Sequence, residues 1–284
     1  MEHIVDYFAH IPSSHRSLIL VGGICFFWLI ESIVPLVRFD YQKTRHAGIN
    51  FFFTFTTILV NFSLAFILVK TSDWTVANQF GLLQWLSLPI WAQAIVGLLL
   101  LDLLGAWLAH WSEHQVKWMW QFHAVHHSDR HVDTTTANRH HPGESVIRFL
   151  FTTLAVVITG APMWLVFMYQ AFSVLLSQFN HANIELPRWA DRVVNWLLVT
   201  PNMHHVHHHY VLPYSNTNYG NIFSVWDRLF STFAVRQGKD LVYGLDTHPD
   251  PTGHSHIVGI LKAPFQAYRA PVGENQVERS TVDV

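Results

Sequence analysis

Residues 89–114 read PIWAQAIVGLLLLDLLGAWLAHWSEH, and this stretch decides the fold class of the chain. Its first part, Pro89–Ala109, is almost wholly apolar, and about twenty such residues suffice for a helix to cross the hydrocarbon core of a bilayer. His110 and His114 follow directly and stand one helical turn apart. The stretch therefore predicts a transmembrane helix that brings two histidines to one surface of the membrane.

Two earlier segments, Ser17–Val37 and Ile49–Val69, meet the same length and composition criterion. We expect the first to be a retained anchor rather than a signal peptide, because its leader is acidic and no small-residue cleavage site follows. A fourth apolar region, Val146–Phe179, is broken by Gly160-Ala161-Pro162 and predicts a tight helical hairpin. Two tilted crossings and a re-entrant dip both fit this hairpin. The predicted fold is an all-α integral membrane protein with about four transmembrane helices and a helical cap.

The composition supports this class. Of 284 residues, 50% are hydrophobic and only 13% are charged, and the formal net charge of −2 gives no basic surface for nucleic acid. The single cysteine, Cys25, excludes an internal disulfide and the thiolate-rich zinc or iron–sulfur sites, which need several cysteines. Most of the 21 histidines, in contrast, lie between His110 and His209.

The loops predict an orientation through their cationic residues. Arg38, Lys43 and Arg45 crowd the loop after the first span, whereas Lys70 stands alone in the next loop. The first loop is then cytoplasmic and the amino terminus is outside. Every later histidine cluster consequently falls on the cytoplasmic face. The last residues, Ser280–Val284, carry no organelle-retention signal, which is compatible with a bacterial inner membrane.

Three histidine clusters form the candidate site, because imidazole is the commonest protein ligand of transition metals. Spacings of three and four residues place side chains on one helix face. On spacing alone the third cluster has two registers, and a lone HxxxH pair also fits interfacial histidines. The clusters are His110 and His114; His123, His126 and His127; and His204, His207 and His208, or alternatively His205, His208 and His209. Together they predict a site for more than one metal ion.

Three further residues are candidates by position. His181 follows the returning arm of the predicted hairpin and is a candidate additional ligand, and His141 is a weaker one. Asp102 lies within an apolar span, where a carboxylate is costly and tends to be functional. We expect Asp102 to orient a ligand imidazole through its second nitrogen; a structural hydrogen bond to a neighbouring helix is the alternative.

The amino-acid sequence around the clusters resembles that of the fatty acid hydroxylase/sterol desaturase superfamily, which consists of membrane-bound histidine-box oxygenases. The histidine boxes read HxxxH, HxxHH and HxxHH, and the resemblance covers most of the chain. The segments that carry it are Trp120–Asp129 (WQFHAVHHSD), Arg139–Glu144 (RHHPGE), Thr200–His204 (TPNMH), Asn218–Asn221 (NYGN) and Trp226–Phe230 (WDRLF). The resemblance implies a single membrane-embedded domain over residues 1–270, with a catalytic core at about 90–235, followed by a polar tail, 271–284, that we expect to be disordered.

The resemblance also implies a ligand set and selects the register that begins at His204. The implied ligands are His110, His114, His123, His126, His127, His204, His207 and His208, with His181 as an additional one and His141 as a possible one. Oxygen insertion into an unactivated C–H bond needs a redox-active metal, so the implied cofactors are two non-haem iron ions, with O₂ as co-substrate. Four acids remain to support the ligands: Asp102, Asp129, Glu144 and Asp227. Glu144 could also approach the metals directly, and surface ion pairs are the alternative for Asp129 and Asp227.

The implied function is hydroxylation or desaturation of a lipid, whose chain stays in the hydrocarbon while one carbon meets the metals. We find no nucleotide-binding glycine motif and no haem-attachment motif. A separate electron donor of the ferredoxin or cytochrome b5 type, with its reductase, is therefore expected.

Two alternatives come from other classes of protein. The sequence His110-Trp-Ser-Glu-His114 also matches HxxEH, a zinc metalloprotease motif in which Glu113 would be the general base. This interpretation leaves both HxxHH clusters without a role. A non-enzymatic metal transporter or store is the other alternative, although transport sites usually lie near the bilayer midplane.

Overall fold

A computed structural model describes residues 1–236, 238–247, 255–271 and 273. Regular structure in these residues is helical, and extended segments pair only through isolated bridges, so the all-α prediction is confirmed. The α-helices are α1 (Glu2–Ala9), α2 (Ser13–Glu31), α3 (Lys43–Ala77), α4 (Leu82–Trp85), α5 (Ile90–Asp102), α6 (Leu108–Gln115), α7 (Lys117–His127), α8 (Pro142–Thr159), α9 (Met163–His181), α10 (Arg188–Val194), α11 (Pro201–His207), α12 (Val225–Leu229) and α13 (Ile257–Lys262). Most of the tail predicted to be disordered lies outside the described residues.

Four helical stretches of the described chain are long and apolar enough to cross a membrane. They are Ser13–Glu31, Lys43–Trp85, Ile90–Gln115 and Pro142–Thr159. The predicted number of about four is thus confirmed, while two sets of boundaries were wrong. Helix α2 ends at Glu31 rather than Val37, because Pro35 lacks an N–H and disfavours a helical residue before it.

Helix α3 extends well beyond the predicted span Ile49–Val69 at both ends. A polar residue in each extension has a partner elsewhere in the chain: Nε2 of His46 lies 2.8 Å from Oδ1 of Asp129, and Ser72 donates to the carbonyl of Ala161. These contacts satisfy polar groups that would otherwise be costly to bury. The helix therefore continues past Val69 through Trp74 to Ala77.

The predicted break at Gly160 is present, but the hairpin is not tight. Gly160 ends α8 in the left-handed conformation with φ of 68°, and a Cβ there would meet the carbonyl oxygen of Phe80 at 2.3 Å, so glycine is required. The two arms then separate. Helix α8 packs mainly on α3, and α9 packs mainly on α1 and α2.

Three apolar clusters position the histidine-bearing helices. The largest includes Leu101, Val156 and Leu165 and joins the spanning helices. A second cluster, with Val125 and Ile260, holds the outer side of α7 against α13. A third cluster packs Val206, Val132, Leu241 and Tyr243 beside α11. Because these contacts lie behind α7 and α11, their histidines face the interior.

A π-helical turn, Leu103–Trp107, interrupts the third span between α5 and α6. The N–H of Leu108 donates to the carbonyl of Leu103, five residues earlier. One extra residue in a helical turn rotates everything that follows by about 100°. Residues on opposite sides of this turn therefore do not share the face that regular α-helical spacing predicts.

Candidate metal centre

The three histidine boxes and the end of α9 bring nine imidazole rings together at one end of the helix bundle. The rings form two groups, and within each group the candidate ligand atoms lie within 4.8 Å of one another. The five-histidine group consists of His110, His114, His123, His127 and His207. The four-histidine group consists of His126, His181, His204 and His208. All nine implied ligands are thus placed in these groups, and their binding of a metal stays a prediction.

The HxxHH spacing explains why the two groups adjoin. On α7, His123 and His127 are four residues apart and face the five-histidine group, whereas His126 faces the other. The second HxxHH box divides in the same way, with His207 in the five-histidine group and its two other histidines in the four-histidine group. Each motif therefore contributes to both groups, and the two candidate sites share α7 and the second box.

The hydrogen bonds of His110 and His123 determine which ring nitrogens face the interior of the five-histidine group. Nδ1 of His110 donates to the carbonyl of Tyr219 at 2.9 Å, and Nδ1 of His123 donates to Oε1 of Glu144 at 2.7 Å. Each Nε2 then carries a lone pair, and the two Nε2 atoms lie 3.1 Å apart. Two facing lone pairs repel each other unless a cation lies between them, so this geometry fits a metal ion.

Two more rings in this group also donate from Nδ1 to an oxygen atom and leave Nε2 free. Nδ1 of His207 donates to the carbonyl of Thr217 at 2.6 Å, and Nδ1 of His114 donates to Oδ1 of Asn216 at 3.1 Å. Their Nε2 atoms, and that of His127, are buried without a hydrogen-bond partner. Buried polar atoms are rarely left without partners, and these three all belong to one group of candidate ligands. A bound ion accounts for all of them.

In the four-histidine group the central ring is His181. Its Nδ1 donates to the carbonyl of Ser177 at 2.8 Å, so its Nε2 carries a lone pair. That Nε2 lies 3.0 Å from Nε2 of His126 and 3.0 Å from Nε2 of His204. Both ring nitrogens of His208 are buried without a partner. The donor set fits a second metal ion with four imidazole ligands.

The rings are neutral, as metal ligation requires. Burial lowers the pKa of His123 to about 4 and that of His207 to about 3. Burial and the neighbouring histidines also hold the pKa values of His126, His127 and His208 well below the ordinary value. At neutral pH these nitrogens therefore do not need to release a proton before they bind a cation.

Two histidines of the other register lie outside both groups. His205 contacts the hydroxyl of Tyr243 through Nδ1 at 2.6 Å and donates from Nε2 to the carbonyl of His181 at 3.0 Å. Nδ1 of His209 accepts from the N–H of Val242 at 3.1 Å. The structure thus gathers the rings of the register that begins at His204.

His141 is not placed in either group. Its Nδ1 accepts from the N–H of Gly143 at 3.0 Å and thereby caps the start of α8. The adjacent His140, to which the sequence interpretation gave no role, lies against the centre instead. Its ring stacks on that of His126 with centroids 4.9 Å apart, and its Nδ1 lies 2.6 Å from Oε1 of Glu144. The spacing of four residues between His140 and Glu144 on the way into α8 was the available signal.

Glu144 fits the supporting role that the sequence suggested. Besides His123, its carboxylate accepts from Nε of Arg148 at 3.1 Å, and Arg148 also donates to Glu113 at 2.7 Å. Both carboxylates are fully buried. Buried carboxylates beside a ligand imidazole raise the basicity of the ring and fix its orientation. Oε2 of Glu144 and Oε1 of Glu113 have no partner in the described residues.

Asp102 does not orient a ligand histidine, contrary to our expectation. The π-helical turn rotates it away from His110, and it accepts hydrogen bonds from the N–H groups of Ile222 and Phe223 and from Nε1 of Trp226 at 3.0–3.2 Å. The alternative was a structural hydrogen bond to a neighbouring helix. Asp102 makes one such bond, with Trp226 of α12, and its two other bonds go to the loop before α12. The carbonyl of Tyr219 takes the predicted role at His110.

Asp129 and Asp227 are buried, so the surface ion-pair interpretation of these residues is wrong. Against the effect of burial, His46 and Arg139 hold the pKa of Asp129 far below its usual range. Burial raises the pKa of Asp227, which accepts from the N–H groups of Tyr219 and Gly220 at 2.8 Å. Asp227 thereby fixes the backbone whose carbonyl orients His110.

The fold and the site together define a helical membrane protein with two adjoining histidine-lined sites that could bind metal ions. Residues 94–232 match the fatty acid hydroxylase family. No solved structure matches the chain.

The curated relatives include several lipid-modifying enzymes. The chain is 28% identical over 150 residues to the ornithine lipid hydroxylase OlsE of Rhizobium tropici. The aligned region covers 53% of this chain and 43% of that protein. It is 30% identical over 184 residues to alkylglycerol monooxygenase of Danio rerio, with coverage of 64% and 39%. A cholesterol 25-hydroxylase-like protein of Danio rerio is 28% identical over 142 residues, with coverage of 49% and 50%. The chain thus spans less than half of the length of the first two relatives.

Proposed function

We propose that this chain is a membrane-bound oxidoreductase with two non-haem iron ions, which uses O₂ and externally supplied electrons to hydroxylate or desaturate a lipid. The observation that carries the proposal is the pair of adjoining histidine groups that share α7 and the second HxxHH box. The match of residues 94–232 to the fatty acid hydroxylase family supports the reaction class.

Iron is the metal that suits this donor set and this reaction class. Imidazole binds zinc, copper, iron and nickel alike, but zinc has no redox chemistry. When bound, a pair of irons supplies the activation of O₂ that cleavage of an aliphatic C–H bond requires. None of the nine proposed ligands carries a negative charge. The buried carboxyl groups of Glu144 and Glu113 lie beside His123 of the five-histidine group.

The residues of the chain hold and orient the ligands. The carbonyls of Tyr219, Thr217 and Ser177 and the carboxylate of Glu144 each fix the second nitrogen of one ring. Such outer contacts set the tautomer and the direction of the lone pair. Because eight of the nine residues are buried and His114 is partly buried, little bulk water reaches the proposed reaction site.

The proposed substrate is a lipid. The histidine groups lie at the ends of apolar spanning helices, so a long chain can stay in the hydrocarbon while one carbon reaches the metals. The named relatives act on an ornithine lipid and on alkylglycerols, and another relative is an aldehyde decarbonylase. A fatty acyl chain, a sterol or an ether lipid fits the proposal equally.

We place the histidine end of the bundle on the cytoplasmic face, on the basis of the cationic loop after α2. A bacterial inner membrane suits the similarity to the Rhizobium enzyme. The electrons come in this proposal from a ferredoxin or a cytochrome b5 type protein with its reductase.

The metalloprotease alternative leaves the four-histidine group without a role. Glu113, the general base in that alternative, is paired with Arg148 at 2.7 Å. His110 and His114 moreover share their group with three rings from elsewhere in the chain.

Comparative lipid analysis of cells with and without the gene tests the proposed function. The expected result is one lipid class that lacks a hydroxyl group or a double bond when the gene is absent, and that is restored by the wild-type chain but not by the His207→Ala variant. An unchanged lipid profile, or restoration by both proteins, would refute it.

A further inference from the structure

The segment Arg188–Leu197, which comprises α10 and the turn after it, has an inverted distribution of polarity. Its apolar side chains are exposed: Trp189 by 73%, Val193 by 68%, Trp196 by 71% and Leu197 by 59%. Their spacing of four, seven and eight residues from Trp189 is that of a single helix face. The face therefore presents two indole rings and two aliphatic side chains away from the protein.

The opposite side of this segment is polar and packs against the protein. Asp191 accepts from Oγ1 of Thr200 at 2.6 Å, and Nδ2 of Asn195 donates to the same oxygen at 3.2 Å. A segment in contact with water would bury its apolar face and expose its polar one. This segment exposes its apolar face together with Arg188 and Arg192, so apolar surroundings with a charged border would suit it.

Backbone contacts place the end of the segment at the level of the spanning helices. The N–H of Ser224 donates to the carbonyl of Leu197 at 3.1 Å. Asp102 of α5 holds the adjacent N–H of Phe223 at 3.1 Å. Asp102 precedes His110 by eight residues, which is about 12 Å along a helix toward the middle of the span. Leu197 therefore lies on the membrane side of the histidine groups.

Basic side chains border the same segment. A cleft of about 850 Å³ is lined by Arg188, Arg192, Arg228 and Arg236, with Glu185 and Asp191 as its acidic residues. The guanidinium of Arg228 lies over the ring of Trp196 at 5.4 Å from its centroid. Exposed indoles next to arginines are typical of the boundary between the acyl chains and the headgroups, where anionic phosphates lie.

We propose that Arg188–Leu197 lies in the plane of the membrane at this boundary, with its aromatic face among the acyl chains and with Arg188 and Arg192 on the headgroups of anionic phospholipids. This inference does not rest on the oxygenase proposal, and none of its residues belongs to the histidine groups. A protein partner on the same face is the competing occupant.

Depth measurement by nitroxide labelling tests the position of the aromatic face. The full-length chain, with Cys25→Ser and a single Val193→Cys, is reconstituted in nanodiscs of phosphatidylcholine and phosphatidylglycerol, and collisions with O₂ and with a water-soluble nickel chelate are compared. Native Cys25, exposed on α2, serves as the reference inside the membrane, and Asp40→Cys, exposed in the loop before α3, as the aqueous reference. We expect the Val193 label to favour O₂, as the Cys25 label does. A label as accessible to nickel as that at Asp40 would overturn the proposal and favour a protein partner.

The headgroup contact has a separate test. Binding of fluorescent phosphatidylglycerol to the full-length chain in mixed micelles is titrated for the Arg188→Gln/Arg192→Gln variant. The matched control is Lys117→Gln/Arg130→Gln, which removes the same charge from exposed positions at the two ends of α7. Each basic residue near an anionic lipid surface contributes about fivefold in affinity, so we expect a loss of roughly 25-fold in the first variant only. Equal affinities of the two variants would refute the headgroup contact.

Discussion

Glu144 accepts a hydrogen bond of 2.7 Å from Nδ1 of His123, and this contact turns the Nε2 lone pair of that ring toward the five-histidine group. The carboxylate lies on α8 and the imidazole on α7, so the bond also ties two helices together. Glu144 is therefore the acid whose removal most directly disturbs the proposed ligand set.

Replacement of Glu144 by Ala is expected to weaken metal binding by about 10- to 100-fold, the usual effect of losing a partner of a ligand histidine. Glu144→Gln keeps an oxygen acceptor for His123 and should retain more affinity. Metal titration of the stripped protein measures both. The exposed Glu185→Gln serves as the control, and an unchanged affinity in Glu144→Ala would contradict the supporting role.

His126→Ala and His207→Ala are expected to abolish turnover, because each removes one ligand from a different histidine group, while the protein still inserts into the membrane. The control is His141→Asn, which preserves a side-chain acceptor for the start of α8 and touches neither group. Product formation by purified protein in nanodiscs gives the comparison. Full activity in either alanine variant argues against the assignment.

Asp102→Ala is expected to destabilise the protein without removing its metals. The substitution leaves one buried and two partly buried donors without their acceptor, and each fully buried loss costs about 1–3 kcal/mol. Thermal unfolding in detergent and metal content are measured on the same sample. Loss of metal at unchanged thermal stability would restore the role that the sequence suggested, namely the orientation of a ligand ring.

Metal-free protein should lose stability as the pH falls from about 6.5 to about 4. The pKa of His123 is lowered to about 4 and that of His207 to about 3 in the folded state, whereas an unfolded histidine titrates near 6.5. Between these values the unfolded chain binds more protons, so its formation becomes easier as the pH falls. Thermal midpoints of the chelator-treated protein at several pH values measure the effect. A flat profile would contradict the burial of neutral rings.

The sequence predicted the membrane class and the gathering of the boxes well, because apolar length and a spacing of three or four residues are local properties. It failed where a local irregularity or a distant partner intervenes. The predicted role of Asp102 at a ligand histidine was wrong because the amino acids at residues 103–107 give no signal of a π-helical turn. The sequence did not identify His140 because both His140 and His141 occur in the same motif and either could face the histidine groups. Only the structure shows that His141 is used to cap α8. The exposure of the apolar face of α10 could be recognised only from the exposed fractions of its side chains, because residue spacing does not tell which face of a helix is buried.

The central claim is that the nine gathered rings hold two iron ions, and element-resolved quantification of metals per chain tests it most directly. The full-length protein, purified from iron-supplemented cells, is expected to contain two irons per chain, falling well below two in both His126→Ala and His207→Ala. A single zinc per chain, or a metal content that neither substitution changes, would contradict the account.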